Sequence, residues 1–496
     1  MLPAKNQKLP LIILSGFLSL LAAVSIRGFL ERGLWYDESL TILEFVVWPK
    51  TYWELYKNYS IPNNHILYSL FMRIFFDLFA GWVPLSNPVL RFPSVIAGFC
   101  FLLSSFFLWK RHSSANAVFM VLCVLAISPI FAIYATAMRG YIFSMLAISL
   151  SISAVISASE NRRFSFCLYC LISVIAVGIM PNNVLAIFAT SLLPFILGKL
   201  EISIKSIIKF CSVPFLSLLL FYLPNWGRFL RVLSIREGWQ SSAATTTVFY
   251  GTTLIIFLIP VAISLISLFS RQSISKLRAS LCVSVFVIPL VFFVFRAPSP
   301  FPRTFLCILP VWLFLFSVGI GKFEEQMRKK FSEVFAEKLV FALVILSIIS
   351  GNIVMIWSDS FSKICSKYGQ DDFFSPYFMK KEFNPDNTVS GLIALTEEKD
   401  GLVFSDINSD PPSLRFSAMR FGMTDGFIIF DRPKKSVEIF PPEGERTAFI
   451  VANGKERATE ICKRFNLVLT AEEGGNLNQK IFRVEKYSPI IKSPRN

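Results

Sequence analysis

Long apolar stretches separated by short polar clusters fill the chain from residue 11 to residue 357. Many of these stretches reach the ~20 residues that a helix needs to cross the hydrocarbon core of a bilayer. The pattern predicts a mainly α-helical, polytopic membrane protein with about 11 spans. The predicted spans lie near residues 11–30, 91–109, 115–134, 141–158, 164–180, 183–198, 206–224, 246–270, 280–296, 303–320 and 338–357.

Basic residues at the ends of these stretches predict the orientation of the chain. Lys5 and Lys8 precede the first span, which places the N-terminus in the cytoplasm by the positive-inside tendency. Residues 65–80 are short for a span, and Arg73 and Asp77 share one helical face there, so we predict an interfacial amphipathic helix. With that assignment every later basic cluster falls in the cytoplasm, whereas a span at 65–80 would place those clusters outside.

The pattern changes after residue 358, where charge rises and the apolar runs shorten. Alternating short strands and helices predict a small α/β domain at 359–496, which the span count places outside the cytoplasm. Residues 1–358 form the predicted membrane domain, and 31–90 form its first outer loop with interfacial helices. The predicted strands are 401–405, 426–430, 447–451 and 478–485, and the predicted helices are 411–420 and 456–465.

The composition also indicates a membrane protein, and this affects how the positive net charge is interpreted. The chain has 496 residues, of which 54% are hydrophobic and 52 are phenylalanine, and its net charge is +16. In a soluble protein that charge would suggest nucleic acid as a partner. In a membrane protein it fits basic cytoplasmic loops and an anionic lipid surface, so we expect membrane lipids and no nucleic acid as partners.

The candidate chemistry begins with two adjacent carboxylates, Asp37 and Glu38, just beyond the first span. Carboxylates at the foot of a membrane helix are costly and suggest chemistry at the membrane surface, although an acidic pair also simply marks a loop. Arginine binds phosphate with a planar fork of donors, and it also anchors helix ends at lipid headgroups. On the predicted topology the outer face also carries Asn63, Asn64, His65, Arg91, Arg139, Asn182, Asn183, Arg228, Arg231, Arg236 and Arg303.

Five motifs, in order, resemble the GT-C membrane glycosyltransferases, and within them the protein O-mannosyltransferase and aminoarabinose transferase group. They cover roughly the first 140 residues and the region near residue 303. Ala137 departs from the pattern, because the family often has Glu there, and His65 is followed by Ile instead of Pro. The matching stretches are Trp35-Tyr36-Asp37-Glu38, Asn63 to Tyr68, Arg91 to Gly98, Tyr134 to Tyr141, and Pro302-Arg303-Thr304-Phe305 with Pro310.

The resemblance implies inverting transfer of a sugar from a polyprenyl-phosphate donor to an acceptor hydroxyl or amine on a glycan, lipid or protein. Asp37 is the expected general base, Glu38 the residue that orients the acceptor, and Arg303 the main ligand of the leaving phosphate. The loop at 225–245 is a candidate lid or, alternatively, a surface helix at the headgroups. The expected substrate-binding residues are Asn64, His65, Arg91, Tyr134, Arg139, Tyr141 and Arg303.

Three questions stay open at this stage. The chain has only 2 histidines, which excludes a His-rich metal site, so we expect no tightly held metal and leave open a loosely bound Mg²⁺ or Mn²⁺ at Asp37. A glycan polymerase or ligase that uses a lipid-linked oligosaccharide would share the outward site. A lipid or sugar transporter would more often show repeated halves and ionisable groups at mid-membrane. We expect location in a bacterial inner membrane.

Overall fold

A computed structural model describes most of the chain. The described residues form two compact units that interleave along the sequence. The larger unit contains Met1–Leu30, Thr51–Ile74 and Arg91–Met379, and the smaller contains Glu31–Lys50, Phe75–Leu90 and Lys380–Asn496. The structure describes residues 8–58, 65–79, 81–82, 86–160, 162–234, 256–268, 276–295, 302–332, 384–396, 401–405, 411–423, 427–430, 447–465, 467–476 and 479–487, with scattered positions between 335 and 349.

The larger unit is a bundle of apolar helices, as the sequence predicts. A 3₁₀ helix, Pro302–Ile308, leads directly into the long helix Leu309–Lys330. Two helices, Ile66–Phe79 and Asn87–Trp109, contribute residues to both units. The other helices are Lys8–Ile26, Tyr52–Lys57, Ala115–Ala126, Pro129–Thr136, Tyr141–Ser159, Arg163–Ile179, Asn183–Ile196, Ile204–Cys211, Val213–Tyr222, Trp226–Ser234, Leu258–Leu268, Lys276–Phe295 and Leu309–Lys330.

Membrane-spanning helices are confirmed, which makes the chain an integral membrane protein. Within the described ranges, 5 helices are long and apolar enough to cross a bilayer, or 6 if one bent pair forms a single span. The predicted total of about 11 stays a prediction, because parts of the spans at 246–270 and 338–357 lie outside the described residues. The five are Leu11–Phe29, Asn87–Trp109, Tyr141–Ser159, Ile204–Arg231 and Leu306–Lys330.

The predicted span at 115–134 is broken into two helices that meet at an angle of 70°. The first helix ends at Ala126, and Ser128 is the N-cap of the second: its hydroxyl accepts a hydrogen bond of 3.3 Å from the Phe131 N–H. Pro129 follows at the first helical position, where its missing N–H costs nothing. The Ser-Pro pair therefore starts a new helix and redirects the chain toward Tyr134 and Arg139.

Helix Ile66–Phe79 is compatible with the predicted interfacial helix. Its 14 residues span ~21 Å at 1.5 Å per residue, which is short of the ~30 Å hydrocarbon core. How this helix lies against a membrane stays a prediction.

The smaller unit is built on a five-stranded mixed sheet with strand order β2-β1-β3-β5-β4. Strand β1 pairs in parallel with β2 and β3, and β5 pairs antiparallel with β3 and β4. Three longer helices pack in this unit, Pro385–Leu395, Pro411–Arg420 and Lys455–Phe465, with buried Leu392, Leu414 and Phe449 in its core. The strands are β1 Gly401–Ser405, β2 Phe427–Phe430, β3 Thr447–Ala452, β4 Leu467–Asn476 and β5 Gln479–Tyr487.

All four predicted strands and both predicted helices of the C-terminal region are confirmed, but strand β4 and helix Pro385–Leu395 were missed. Strand β4 ends in Gly474, Gly475 and Asn476, a composition typical of a turn. Gly474 and Gly475 have φ of 139° and 99°, and the register shifts beside them, so the strand continues through bulges. The predicted domain boundary at 358/359 lies outside the described residues.

Close helix packing in the larger unit depends on small residues. A Cβ added at Gly319 would lie 2.6 Å from the Ser264 Cβ and 2.7 Å from its Cα. We expect Gly319→Ala to destabilise the protein by about 1–3 kcal/mol, because the backbones of two packed helices would have to separate. Gly16→Ala is the matched control, since nothing lies within 4 Å of its position. Thermal unfolding in detergent measures both, and equal stability of the two variants would contradict this packing.

Candidate active site

Three predicted site residues from distant parts of the sequence meet in the larger unit. His65 precedes helix Ile66–Phe79, Arg139 lies in the turn before helix Tyr141–Ser159, and Arg303 lies in the first turn of the 3₁₀ helix. Their exposed fractions are 3%, 1% and 8%. Gly140, the residue after Arg139, donates a hydrogen bond to His65, and the 3₁₀ helix that carries Arg303 packs against helix Tyr141–Ser159, which follows Arg139. We name these three residues the cationic cluster.

The 3₁₀ helix that carries Arg303 packs against helices Tyr141–Ser159 and Asn183–Ile196. The Cys307 thiol lies 3.9 Å from the Asn182 carbonyl oxygen. The Asn183 side chain donates to the Ser144 hydroxyl at 2.8 Å and to the Ala176 carbonyl at 2.6 Å. Asn183, which the sequence places on the outer face, therefore joins the helices around the cluster.

The orientation of His65 is determined by the turn that carries Arg139. The Gly140 N–H donates to His65 Nδ1 at 2.8 Å. The edge of the imidazole meets the Tyr141 ring at 89°, with centroids 5.0 Å apart. A Cβ on Gly140 would lie 2.8 Å from Nδ1, so only glycine permits this approach. Gly140 is not among the predicted site residues, and its only signal in the sequence is its place between two motif residues.

The environment of His65 keeps its ring neutral. Burial lowers the pKa of His65 well below its usual 6.5, and the charges of Arg139 and Arg303 lower it further. Below pH 6.5 the His65 side chain therefore binds a proton more readily in the unfolded chain than in the folded protein. The free energy of unfolding consequently decreases as the pH falls from 6.5 toward the lower pKa of the folded state.

Two buried tyrosines extend the site. Tyr134 and Tyr141 are 0% and 1% exposed, and their rings meet edge to face with centroids 5.1 Å apart. Among the described residues, the buried Tyr141 hydroxyl has no hydrogen-bond partner. A buried hydroxyl without a partner costs ~1–3 kcal/mol, so a polar ligand group that meets it would recover that free energy.

The other basic residues of the predicted site have different surroundings. Arg91 is buried and donates from Nη1 to the carbonyl oxygens of Phe29 and Leu30, each at 3.1 Å, which ties it to the end of the first span. Arg228 donates to the Lys57 carbonyl oxygen. The substrate-binding role of Arg91 stays a prediction. Asn64, Arg236 and most of the candidate lid lie outside the described residues.

The acidic pair belongs to the smaller unit. Asp37 and Glu38 lie in the first turn of helix Tyr36–Leu40, where the helix dipole favours carboxylates, and they are 8% and 2% exposed. The Trp35 N–H donates to the Glu38 carboxylate at 3.2 Å, so this carboxylate caps the helix. Its predicted role toward an acceptor stays a prediction.

Helix Tyr36–Leu40 packs against helix Pro411–Arg420 of the C-terminal region. Arg420 donates to Asp386 at 2.9 Å and to Asn87 at 3.0 Å, which joins that helix to its neighbours within the smaller unit. The acidic pair therefore has support from the sheet-containing unit that the sequence predicts as a separate domain.

Metal ligands do not cluster in the part of the chain that the structure describes. No three His, Cys, Asp or Glu side chains come together there in a group that would hold an ion. A loosely bound divalent cation at Asp37 stays a prediction.

No protein-family model and no curated protein matches the sequence. Two solved structures have the same fold: ArnT from Cupriavidus metallidurans in the apo state, and the same protein bound to undecaprenyl phosphate. The match to the apo structure has a TM-score of 0.53 at 12% sequence identity and includes 94% of this chain and 98% of the ArnT chain. The match to the lipid-bound structure has a TM-score of 0.54 at 10% identity and includes 97% of this chain and 98% of the ArnT chain. The chain therefore shares the ArnT fold over nearly its whole length, which confirms the predicted fold class.

The neutral state of His65 is testable by NMR. The chain has 2 histidines, so His112→Gln leaves a single ¹⁵N-histidine signal set. We expect a ring protonated at Nε2 and unprotonated at Nδ1 that does not titrate near pH 6.5, because burial and two guanidinium groups oppose a third charge. A titration midpoint near 6.5 would contradict the burial and charge described for this ring.

Measurements of protein stability test whether the buried Tyr141 hydroxyl lacks a hydrogen-bond partner. We expect Tyr141→Phe to leave the unfolding temperature unchanged or raise it, because the lost hydroxyl has no hydrogen-bond partner in the described structure. Tyr169→Phe is the matched control: the buried Tyr169 hydroxyl donates to the Ile187 carbonyl at 3.4 Å, and its loss should cost about 0.5–1.5 kcal/mol. Differential scanning fluorimetry measures both. A larger loss for Tyr141→Phe would show that its hydroxyl is already satisfied.

Proposed function

We propose that the protein is an inverting glycosyltransferase that moves a sugar from a polyprenyl-phosphate donor to an acceptor hydroxyl or amine at the outer face of the membrane. The observation that carries the proposal is the cationic cluster: two buried guanidinium groups beside a neutral histidine, in a fold that ArnT shares. Guanidinium groups suit phosphate oxygens in geometry and charge. The related ArnT structure with undecaprenyl phosphate supports a polyprenyl lipid as the donor.

The reaction follows from the groups available. An acceptor oxygen or nitrogen attacks the anomeric carbon from the side opposite the phosphate, and the bond from that carbon to the phosphate oxygen breaks. The electron pair leaves with the phosphate, and the acceptor proton moves to Asp37, whose help as a general base is worth ~10²–10⁴ in rate. Polyprenyl phosphate and an inverted glycoside are the products.

The phosphate gains negative charge as it leaves, which assigns the stabilising role to Arg303 and Arg139. Hydrogen bonds and positive charge placed where charge develops lower the barrier more than they favour the ground state. Arg91 is the alternative to Arg139 as the second ligand; its Nη1 donates to the carbonyl oxygens of Phe29 and Leu30. A lipid-linked donor suits the outer face, since it reaches the site by lateral diffusion in the membrane.

The base and phosphate roles are tested by two substitutions in the purified protein. Asp37→Asn should bind undecaprenyl phosphate normally and lose ~10²–10⁴ in turnover with an undecaprenyl-phosphate sugar, because only the proton acceptor is removed. Arg303→Ala should lose affinity for undecaprenyl phosphate, because a charged ligand of the phosphate is removed. Thermal shift with added lipid and mass spectrometry of the glycosylated product are the measurements.

Lys480→Ala is the control, since its side chain pairs with Glu472 on the exposed edge of the sheet. Full turnover by Asp37→Asn would remove Asp37 from the base role. Absence of lipid binding by the unmodified protein would overturn the donor class. A product that carries many sugars would favour a polymerase, and sugar movement across vesicles without covalent transfer would favour a transporter.

A further inference from the structure

We infer that His65 binds the phosphate of the donor lipid as a neutral hydrogen-bond donor, through the proton on Nε2. The inference rests on the proposed function and adds to it the role, the protonation state and the tautomer of one residue. The phosphate would then have two charged hydrogen-bond donors, Arg139 and Arg303, and one uncharged donor, His65.

The tautomer follows from the hydrogen bond at the other ring nitrogen. A neutral imidazole carries one proton, on either Nδ1 or Nε2. Nδ1 accepts from the Gly140 N–H at 2.8 Å, and an acceptor nitrogen cannot itself carry the proton. The proton therefore lies on Nε2, and Nε2–H is the only donor that the ring can offer.

The neutral state follows from the surroundings of the ring. His65 is 3% exposed, and the charges of Arg139 and Arg303 both disfavour a third positive charge. A neutral N–H still binds an anionic oxygen well, because a hydrogen bond with one charged partner is roughly twice as strong as one between neutral groups. The bond strengthens as the phosphate leaves and gains charge, which makes it a contribution to the transition state.

One turn positions both kinds of donor. Arg139 projects from the turn, and the next residue, Gly140, holds His65 through its backbone N–H. Tyr141 follows and packs its ring against the imidazole edge. A guanidinium group and a histidine from separate motifs are therefore held by three consecutive residues, so a shift of this turn would move both donors together.

The alternative is that His65 only accepts the Gly140 N–H and has no role toward substrate. Two substitutions distinguish these roles. His65→Asn keeps an acceptor near the position of Nδ1 and removes the donor at Nε2. His65→Gln places an amide N–H near the position of Nε2. The structural role predicts that Asn is the better replacement, and the donor role predicts that Gln is.

The experiment compares both variants with the unmodified protein in detergent. We expect His65→Asn to weaken undecaprenyl phosphate binding and lower kcat/KM by about 10- to 100-fold, the effect of losing one hydrogen bond to a charged group, and His65→Gln to recover most of the loss. Equal or better function of the Asn variant than of the Gln variant would overturn the inference.

A measurement without substitution at His65 covers the case in which neither variant folds. In the His112→Gln protein, added undecaprenyl phosphate should shift the Nε2–H resonance downfield while Nδ1 stays an acceptor. An unchanged Nε2–H resonance under conditions where the lipid binds would overturn the role of His65 and leave the proposed function intact. Absence of lipid binding would overturn both.

Discussion

The hydrogen bond from the Gly140 N–H to His65 Nδ1 is the contact on which the candidate active site depends. It joins two segments that lie 75 residues apart in the chain. It also determines which ring nitrogen carries the proton, and it forms only because Gly140 has no Cβ. A single backbone donor thus decides both the position and the chemistry of the one buried histidine of the site.

The buried side chains of Arg139 and Arg303 carry positive charge, and the surrounding helices keep them in position. Charged groups inside a membrane protein are costly and are kept mainly where they serve a function. The helices around the cluster approach closely through small and polar residues: Asn183 bonds to Ser144, and Ser105 and Ser149 lie 2.6 Å apart. Such contacts hold helices together where no hydrophobic effect operates between them, and they keep the cluster in one geometry.

The acidic pair and the C-terminal sheet are parts of one compact unit, although more than 360 residues separate Asp37 from strand β1. Helix Pro411–Arg420 is the link, because it packs against the short helix of the acidic pair and is anchored through Arg420. This arrangement gives the C-terminal region a role in supporting the acidic motif.

The sequence by itself determined the membrane character, most of the apolar helices described in the larger unit, four of the five described strands and the candidate residues of the site. These features depend on local patterns, since apolar length predicts a span and strand composition predicts a strand. Tertiary structure decided the role of Gly140, the tautomer of His65, the attachment of Arg91 to two carbonyl oxygens and the grouping of the acidic pair with the sheet. Each of these depends on which distant backbone or side-chain atoms come into contact, and neither residue spacing nor composition specifies those contacts.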